Sequence, residues 1–453
     1  MISQLPSPII VWAPTGSSKL PLIELDRAKV QAKRKRIRSK RGSKKRAQAD
    51  CSFGNFVGHL PIDAWPLFHA AKKTELATPF TTATVERQAM AFAAEYSDLF
   101  VWNTQNLRRI ERSVFALEDF AEAGLAGRFG EAVAYLTMLS WGYVYWDRLA
   151  ILWERASARN GMTHPERVRH AQVIAAQVGV RRPDLEPDFA FEKANAEVAL
   201  MEAKGSFVHP ISDNPSTKND LRHALDQLGA WTGFITPSPA KSFAIGTYFR
   251  DSSDTTGDDS LIAFVDPPGA PTDNPNPTEL PPDWIRRGNY GAWLTGMGFT
   301  QSGDALRRGA ELGLAAREVS VVRIAGRRFA VVIEGFVMKP NLKNRGLLPQ
   351  SWLYPLVASQ ILRFLPYSVH LMRDIGISMI RVLGIELATL RLIEESVLNS
   401  GSQSLLRRES DTRMAGLATG NEGFAGSIFP DGTLLGQMDP LFLADSEIQE
   451  FRL

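Results

Sequence analysis

Residues 187–205 read Pro-Asp-Phe-Ala-Phe-Glu-Lys-Ala-Asn-Ala-Glu-Val-Ala-Leu-Met-Glu-Ala-Lys-Gly. This stretch constrains the fold more than any other. Two short apolar runs, 189–191 and 198–201, flank a polar segment centred on Asn195, which is the pattern of two strands joined by a tight turn. Side chains two apart on a strand share a face, so Glu202 and Lys204 project together. Folding about Asn195–Ala196 sets Asp188 opposite the 202–204 segment, where cross-strand neighbours are ~5 Å apart. Two carboxylates and one ammonium then converge at the end of a small sheet.

The surrounding chain supplies room and context. Its 453 residues suffice for two or three domains. A single cysteine, Cys51, excludes an intramolecular disulfide framework and a cysteine-based zinc site, and fits a reducing cytoplasm. No secretory signal is evident, and the apolar stretches Ala132–Trp146 and Leu347–Leu362 fall short of a membrane span. We therefore expect a cytoplasmic protein with no membrane partner.

The net charge of +3 conceals an asymmetry. Twelve Lys/Arg and no acids lie between Arg27 and Arg46, leaving 40 basic against 49 acidic side chains elsewhere. Such a segment reads either as a disordered arm that binds phosphates or as a solvated tail.

Taken in order, the chain divides into a basic N-terminal arm (1–50), a helical region (51–124), a core (125–266), a Pro-rich linker (267–283) and a C-terminal α+β domain (284–453). The linker holds seven prolines between Pro267 and Pro282. Within the core, Arg128–Trp146 reads as a helix running into a strand, and Glu131 is its only acid. That glutamate suits either a functional role or the first turn of a helix. Ile151–Val180 reads as a polar helical insertion. Asn219–Trp231 is an amphipathic helix, and Ser242–Phe249 and Leu261–Val265 are strands. In the C-terminal domain, Asn289–Leu312 reads as two short helices and Val319–Val337 as a hairpin turned at Ala325-Gly326. Ser351–Asn399 reads as mostly helical, and Pro430-Asp431-Gly432 as a turn between strands.

Carboxylate oxygens are hard ligands suited to Mg²⁺ or Mn²⁺, which bind through one or two carboxylates plus water and substrate phosphate. An ion at Asp188 and Glu202 would polarise a phosphoryl oxygen, and Lys204 beside it would orient water and offset transition-state charge. Pro-Asp occurs four times in the chain, but Glu202-Ala-Lys204 is the only Asp/Glu-x-Lys triplet. Asp184, also after a proline, is a rival to Asp188. No P-loop, Gly-x-Gly-x-x-Gly, His-Glu-x-x-His or Gly-x-Ser-x-Gly motif is present.

Gly130-Glu131 on a helix, Gly142-Tyr143 opening a strand, Pro187-Asp188, Glu202-Ala-Lys204 and then Gln227-Leu-Gly-Ala-Trp231 on a helix occur in that order. Over roughly Leu125–Tyr248 this order resembles the PD-(D/E)XK nuclease superfamily, with its restriction-endonuclease-like fold. The chain departs from the compact family pattern in the insertion before Pro-Asp. The resemblance implies an α/β (α+β) core, a mixed sheet flanked by helices. It implies that Asp188 and Glu202 bind Mg²⁺ (or Mn²⁺), that Lys204 serves the attacking water and that Glu131 supports the metal. Gln227 would help hold the site or substrate. The expected function is a metal-dependent nuclease acting on DNA, in bacterial restriction, anti-phage defence or repair. The competing expectations are a non-catalytic nucleic-acid-binding or scaffolding subunit of such a complex, and a delivered nuclease toxin.

Overall fold

The computed structural model describes residues 16–31, 54–76, 99–110, 119–163, 165–166, 169, 188–208, 217–233, 235–253, 259–266, 277–310, 316–338, 377–398, 423–444 and 446–452. They form two compact units, one between Gly16 and Asn289 and one from Tyr290 onward. Among them no helix is long and apolar enough to cross a membrane.

The first unit is built on a mixed seven-stranded sheet. In chain order its strands are β1 (Ser17–Leu25), β2 (Gly54–Asp63), β5 (Tyr143–Arg148), β6 (Phe189–Lys193), β7 (Val198–Val208), β9 (Lys241–Arg250) and β10 (Leu261–Val265). The two-residue strands β3 (Phe100–Val101) and β4 (Arg108–Arg109) pair with each other, and β8 (Ile235–Thr236) pairs with β11 (Thr278–Glu279). The spatial order is β2-β1-β10-β9-β7-β6-β5. β1 runs parallel to β10 and β7 parallel to β9, while the other neighbours are antiparallel.

The hairpin read from residues 187–205 is present as β6 and β7. Phe189 lies opposite Met201 and Phe191 opposite Ala199. Its turn holds Ala196 at φ 65°, and Asn195 Oδ1 accepts the Glu197 N–H at 3.2 Å. That short-range bond is what makes asparagine useful in a tight turn.

Helices cover both faces of β7. On one side lies α3 (Asp119–Ser140), after α1 (Arg27–Gln31) and α2 (Ala64–Leu76) in the chain. Phe129, Val133, Ala134, Tyr135 and Met138 are all fully buried. A helix apolar around its whole circumference must be covered on all sides, and α3 packs on β7 with one flank and on α2 with another. The Tyr135 ring meets Phe191 and Trp146, each at 5.8 Å between centroids. By the two-residue pleat, Phe191, Ala199, Met201 and Ala203 share this face. On the opposite face, α5 (Thr217–Trp231), which follows α4 (Leu149–Arg159), buries Leu221, Ala224, Leu225, Leu228 and Trp231. That is the i, i+3, i+4, i+7 stripe of an amphipathic helix.

The second unit has a six-stranded antiparallel sheet. Its strands are β12 (Ala316–Ile324), β13 (Arg327–Met338), β14 (Ile377–Glu386), β15 (Phe424–Ile428), β16 (Thr433–Met438) and β17 (Glu447–Arg452), in the order β15-β16-β14-β13-β12-β17. Val322, Ile324, Phe329, Val331, Ile380, Val382, Leu434 and Met438 form its core. The β12–β13 turn is Ala325-Gly326 as read, with φ of 50° and 76°, the two left-handed residues of a type I′ hairpin. Helices α6 (Trp284–Gly296), α7 (Thr300–Arg308), α8 (Leu387–Leu398) and α9 (Leu441–Ala444) complete the described elements. Within this unit Trp293 Nε1 donates to the Gly384 carbonyl at 2.8 Å.

Three sequence expectations require correction. Residues 17–25 and 54–63 are neither a disordered arm nor a helical region; they are strands of the main sheet. Leu20 and Ile62 are fully buried there, so their alternating apolar residues serve a β-face. Residues 377–386 are a strand and not part of a helix: Ile380 and Val382 alternate onto the core face of the sheet, and Leu383 and Ile385 are buried on the other. Thr278–Glu279, within the stretch read as linker, is a strand paired with Ile235–Thr236. Most of the basic segment (32–46), the later part of the polar insertion (170–180) and residues 267–276 lie outside the described residues.

Candidate active site

The site forms where β6 begins and β7 continues past it. The last cross-strand pair at that end is Phe189 with Met201, so the next β7 amide, Ala203 N–H, lacks a strand partner. Asp188 supplies one: its Oδ2 accepts the Ala203 N–H at 2.8 Å. In return the Asp188 N–H donates to Glu202 Oε2 at 2.9 Å. The two carboxylates are thus locked by reciprocal backbone bonds. Buried polar groups require such partners.

Lys204 follows Glu202 on the same face. Its Nζ donates to Glu202 Oε1 in a close ion pair, and to Gln227 Oε1 on α5 at 3.1 Å. Glu202 is 1% exposed, whereas the Lys204 side chain is 32% exposed, so the cluster opens at the ammonium. On the α3 face Glu131 accepts from Arg148 Nη2 at 2.9 Å. Gly130 and Gly205 bring this helix close to β7. A Cβ on Gly130 would lie 2.6 Å from the Gly205 Cα, and one on Gly205 would lie 1.8 Å from the Ala126 oxygen.

Burial dominates the electrostatics. It pushes Glu202 up to about 8, helped by repulsion from Asp188 and opposed by Lys204. Asp188 is raised for the same first reason, against the Ala203 N–H, Lys204 and Arg148. The charge of Asp188 bears directly on Glu202, as expected of two carboxylates held at one site. Burial likewise lifts Glu131 to about 7, with Arg148 opposing and Asp188 adding to the rise.

The structure therefore brings Asp188, Glu202, Lys204 and Gln227 together. Glu131 lies close enough for its charge to bear on Asp188, but its carboxylate is engaged by Arg148. Among the described residues no three or more His, Cys, Asp or Glu side chains are gathered as a ready-made metal cage. Mg²⁺ does not need one, since it commonly takes two carboxylates and completes its shell with water and phosphate. Two hard-oxygen carboxylates, each accepting a backbone N–H at the other's strand position and one of them met by an ammonium, form a donor set that fits a divalent cation. Pro187 and Asp184 lie outside the described residues.

Two neighbours were not singled out in the sequence. Arg148 ends β5 directly across from Phe189, and only the β5–β6 pairing reveals that placement. Asp220 accepts from the Tyr248 hydroxyl at 3.4 Å and feels the charge of Lys204. Its position seven residues before Gln227, on one helix face, was the available signal. No family model matches the chain, and no curated protein or solved structure matches it either.

Proposed function

We propose that the protein is a divalent-metal-dependent nuclease that hydrolyses phosphodiester bonds in DNA. The observation that carries this reading is the convergence of Asp188, Glu202 and Lys204 at the mouth of the β6–β7 hairpin, with Gln227 fixing the ammonium. Asp188 and Glu202 are the residues that would hold Mg²⁺ or Mn²⁺, which supplies Lewis-acid stabilisation of phosphoryl oxygens and acidifies water.

The chain's own groups do the rest. An ammonium has three N–H donors, and Lys204 uses two of them on Glu202 and Gln227. The third is left to hold the attacking water or to neutralise charge that builds on the phosphoryl oxygens. The reciprocal bonds of Asp188 and Glu202 keep both carboxylates in place without a reorganisation cost at the moment of reaction.

The test is incubation of the purified protein with supercoiled and linear DNA in Mg²⁺, Mn²⁺ or EDTA, beside Lys204→Ala and Asp188→Asn. We expect metal-dependent cleavage that EDTA abolishes. Each variant should lose activity by roughly 100-fold or more, the scale of a positioned catalytic group. Undiminished cleavage by both pure variants would end the proposal.

A further inference from the structure

Arg148 differs from Arg286 and Arg109, two fully buried arginines of the first unit. Arg286 is 1% exposed; its Nε donates to Glu192 at 2.7 Å, its Nη2 to the Ala194 carbonyl at 2.9 Å, and its guanidinium lies over Tyr145. Its surroundings absorb it into the fold. Arg109, with no exposed side chain, is paired with Asp251. The Arg148 side chain, by contrast, is 25% exposed, and it stands at the lip of the carboxylate cluster.

Its contacts leave the fork incompletely used. Nη2 serves both Glu131, at 2.9 Å, and the Thr74 carbonyl, at 3.4 Å. The Nε–H is buried and has no hydrogen-bond partner among the described residues. Such an orphaned donor on a cation is costly unless something completes it. The guanidinium Cζ lies over the Phe189 ring, 4.9 Å from its centroid, so an aromatic face holds its orientation. Pleat parity brings Arg148 to the cluster from the α3 face and Lys204 from the α5 face, and both charges act on Asp188.

We infer that Arg148 is an anion subsite, which takes a phosphodiester group of the nucleic-acid strand next to the one that Lys204 addresses. The inference rests on the nuclease reading for its ligand class. A planar guanidinium matches phosphate oxygens through paired N–H groups in a way that an ammonium cannot. Glu131 is the internal anion that occupies this cation when no strand is present. Entry of a phosphate exchanges one anion for another at Arg148 and releases the Glu131 carboxylate toward Asp188 and any cation there. Glu131 thereby competes with substrate, which gives the proposal a directional signature.

The experiment is equilibrium binding of the full chain to fluorescent duplex DNA and, in parallel, single-stranded RNA, in EDTA across a series of KCl concentrations. Arg148→Gln should weaken binding about five- to tenfold at moderate salt and lower the slope of log affinity against log salt by about one. Glu131→Gln should act in the opposite direction and tighten binding, because a neutral amide holds Arg148 less strongly. The double variant Arg148→Gln/Glu131→Gln leaves no lone charge, so it remains informative if the single Arg148 variant folds poorly. It should bind as weakly as Arg148→Gln while recovering its thermal midpoint. An Arg148-dependent slope on either polymer supports the subsite and shows which strand it takes. A double variant that binds both with wild-type slope and affinity overturns it. Cleavage in Mg²⁺ is assayed alongside. Cleavage without an Arg148-dependent slope removes the subsite and leaves the nuclease reading standing. An Arg148-dependent slope with no cleavage supports the subsite and removes the nuclease reading.

Discussion

Glu202 sits at a position where its charge is expensive. Buried beside Asp188, it holds its proton up to about 8, and Glu131 up to about 7. An ordinary glutamate in the unfolded chain titrates near 4.3. The folded, metal-free protein therefore binds more protons than the unfolded chain between these values. Stability from these groups is fully present below the unfolded pKa and is lost as pH rises through about 7 and then 8. We expect the thermal midpoint in EDTA to fall by a few degrees between pH 5 and pH 9. Glu202→Gln should flatten that decline, because a neutral amide has no proton to lose. Scanning calorimetry at stepped pH checks this, and an equally steep decline in the variant would refute it. At this scale the sequence was informative for Asp188, Glu202, Lys204 and Gln227. The convergence of the first three follows from strand alternation and one turn, both local, whereas Gln227 was marked only by the family resemblance. Arg148 was not legible, because its place depends on a pairing with residues some forty positions further on.

At the scale of elements, the contact between α3 and β7 passes through two glycines. A methyl group on Gly205 would enter the space of the Ala126 carbonyl, and one on Gly130 would press on the Gly205 backbone. Neither contact is with a flexible side chain that could give way. Gly205→Ala should destabilise the first unit by about 1–3 kcal/mol through overpacking. It should also move Glu131 away from Asp188. Gly127, on the same helix three residues before Gly130, would place its methyl group in open space. Gly127→Ala should therefore stabilise by roughly 0.5–1 kcal/mol, the helix-propensity gain. Urea denaturation of the two variants should give shifts of opposite sign, and a same-sign result would contradict the packing described. The sequence foretold α3, β5–β7, α5 and the β12–β13 turn, because each is announced by local periodicity or by turn residues. It did not foretell that Gly130 meets Gly205, since close approach of two backbones leaves no periodic mark.

The whole first unit depends on its N-terminal residues. β1 pairs with β10 on one side and β2 on the other, so residues 17–25 and 54–63 close one end of the sheet. Sequence reading missed this because the neighbouring basic run dominates the composition of the region, and because parallel pairing with Leu261–Val265 is a distant contact. Removal of residues 1–63 should expose the ladder of β10 and leave a chain without cooperative unfolding. A deletion confined to residues 33–46 should keep the thermal midpoint, since Leu25 and Gly54 are cross-strand partners that a short connection can join. It should also reduce the salt sensitivity of DNA binding, because most of the twelve clustered cations go with it. A collapse of the midpoint in the shorter deletion would contradict this division of roles.

The parallel ladder of Leu22 with Ile262 also sets an order of events. Hairpin contacts between Asp188 and Lys204 close a short loop, whereas β1 must wait for a segment made much later on the ribosome. Long-range pairing of this kind is slow, because the entropy of closing the loop is lost before contacts compensate for it. The carboxylate clasp can thus be in place while the far end of its sheet is still an open edge. During that interval the buried strands of the first unit are exposed to pairing with other chains. Its yield on refolding should accordingly fall as protein concentration rises, well before any defect in the site itself becomes measurable.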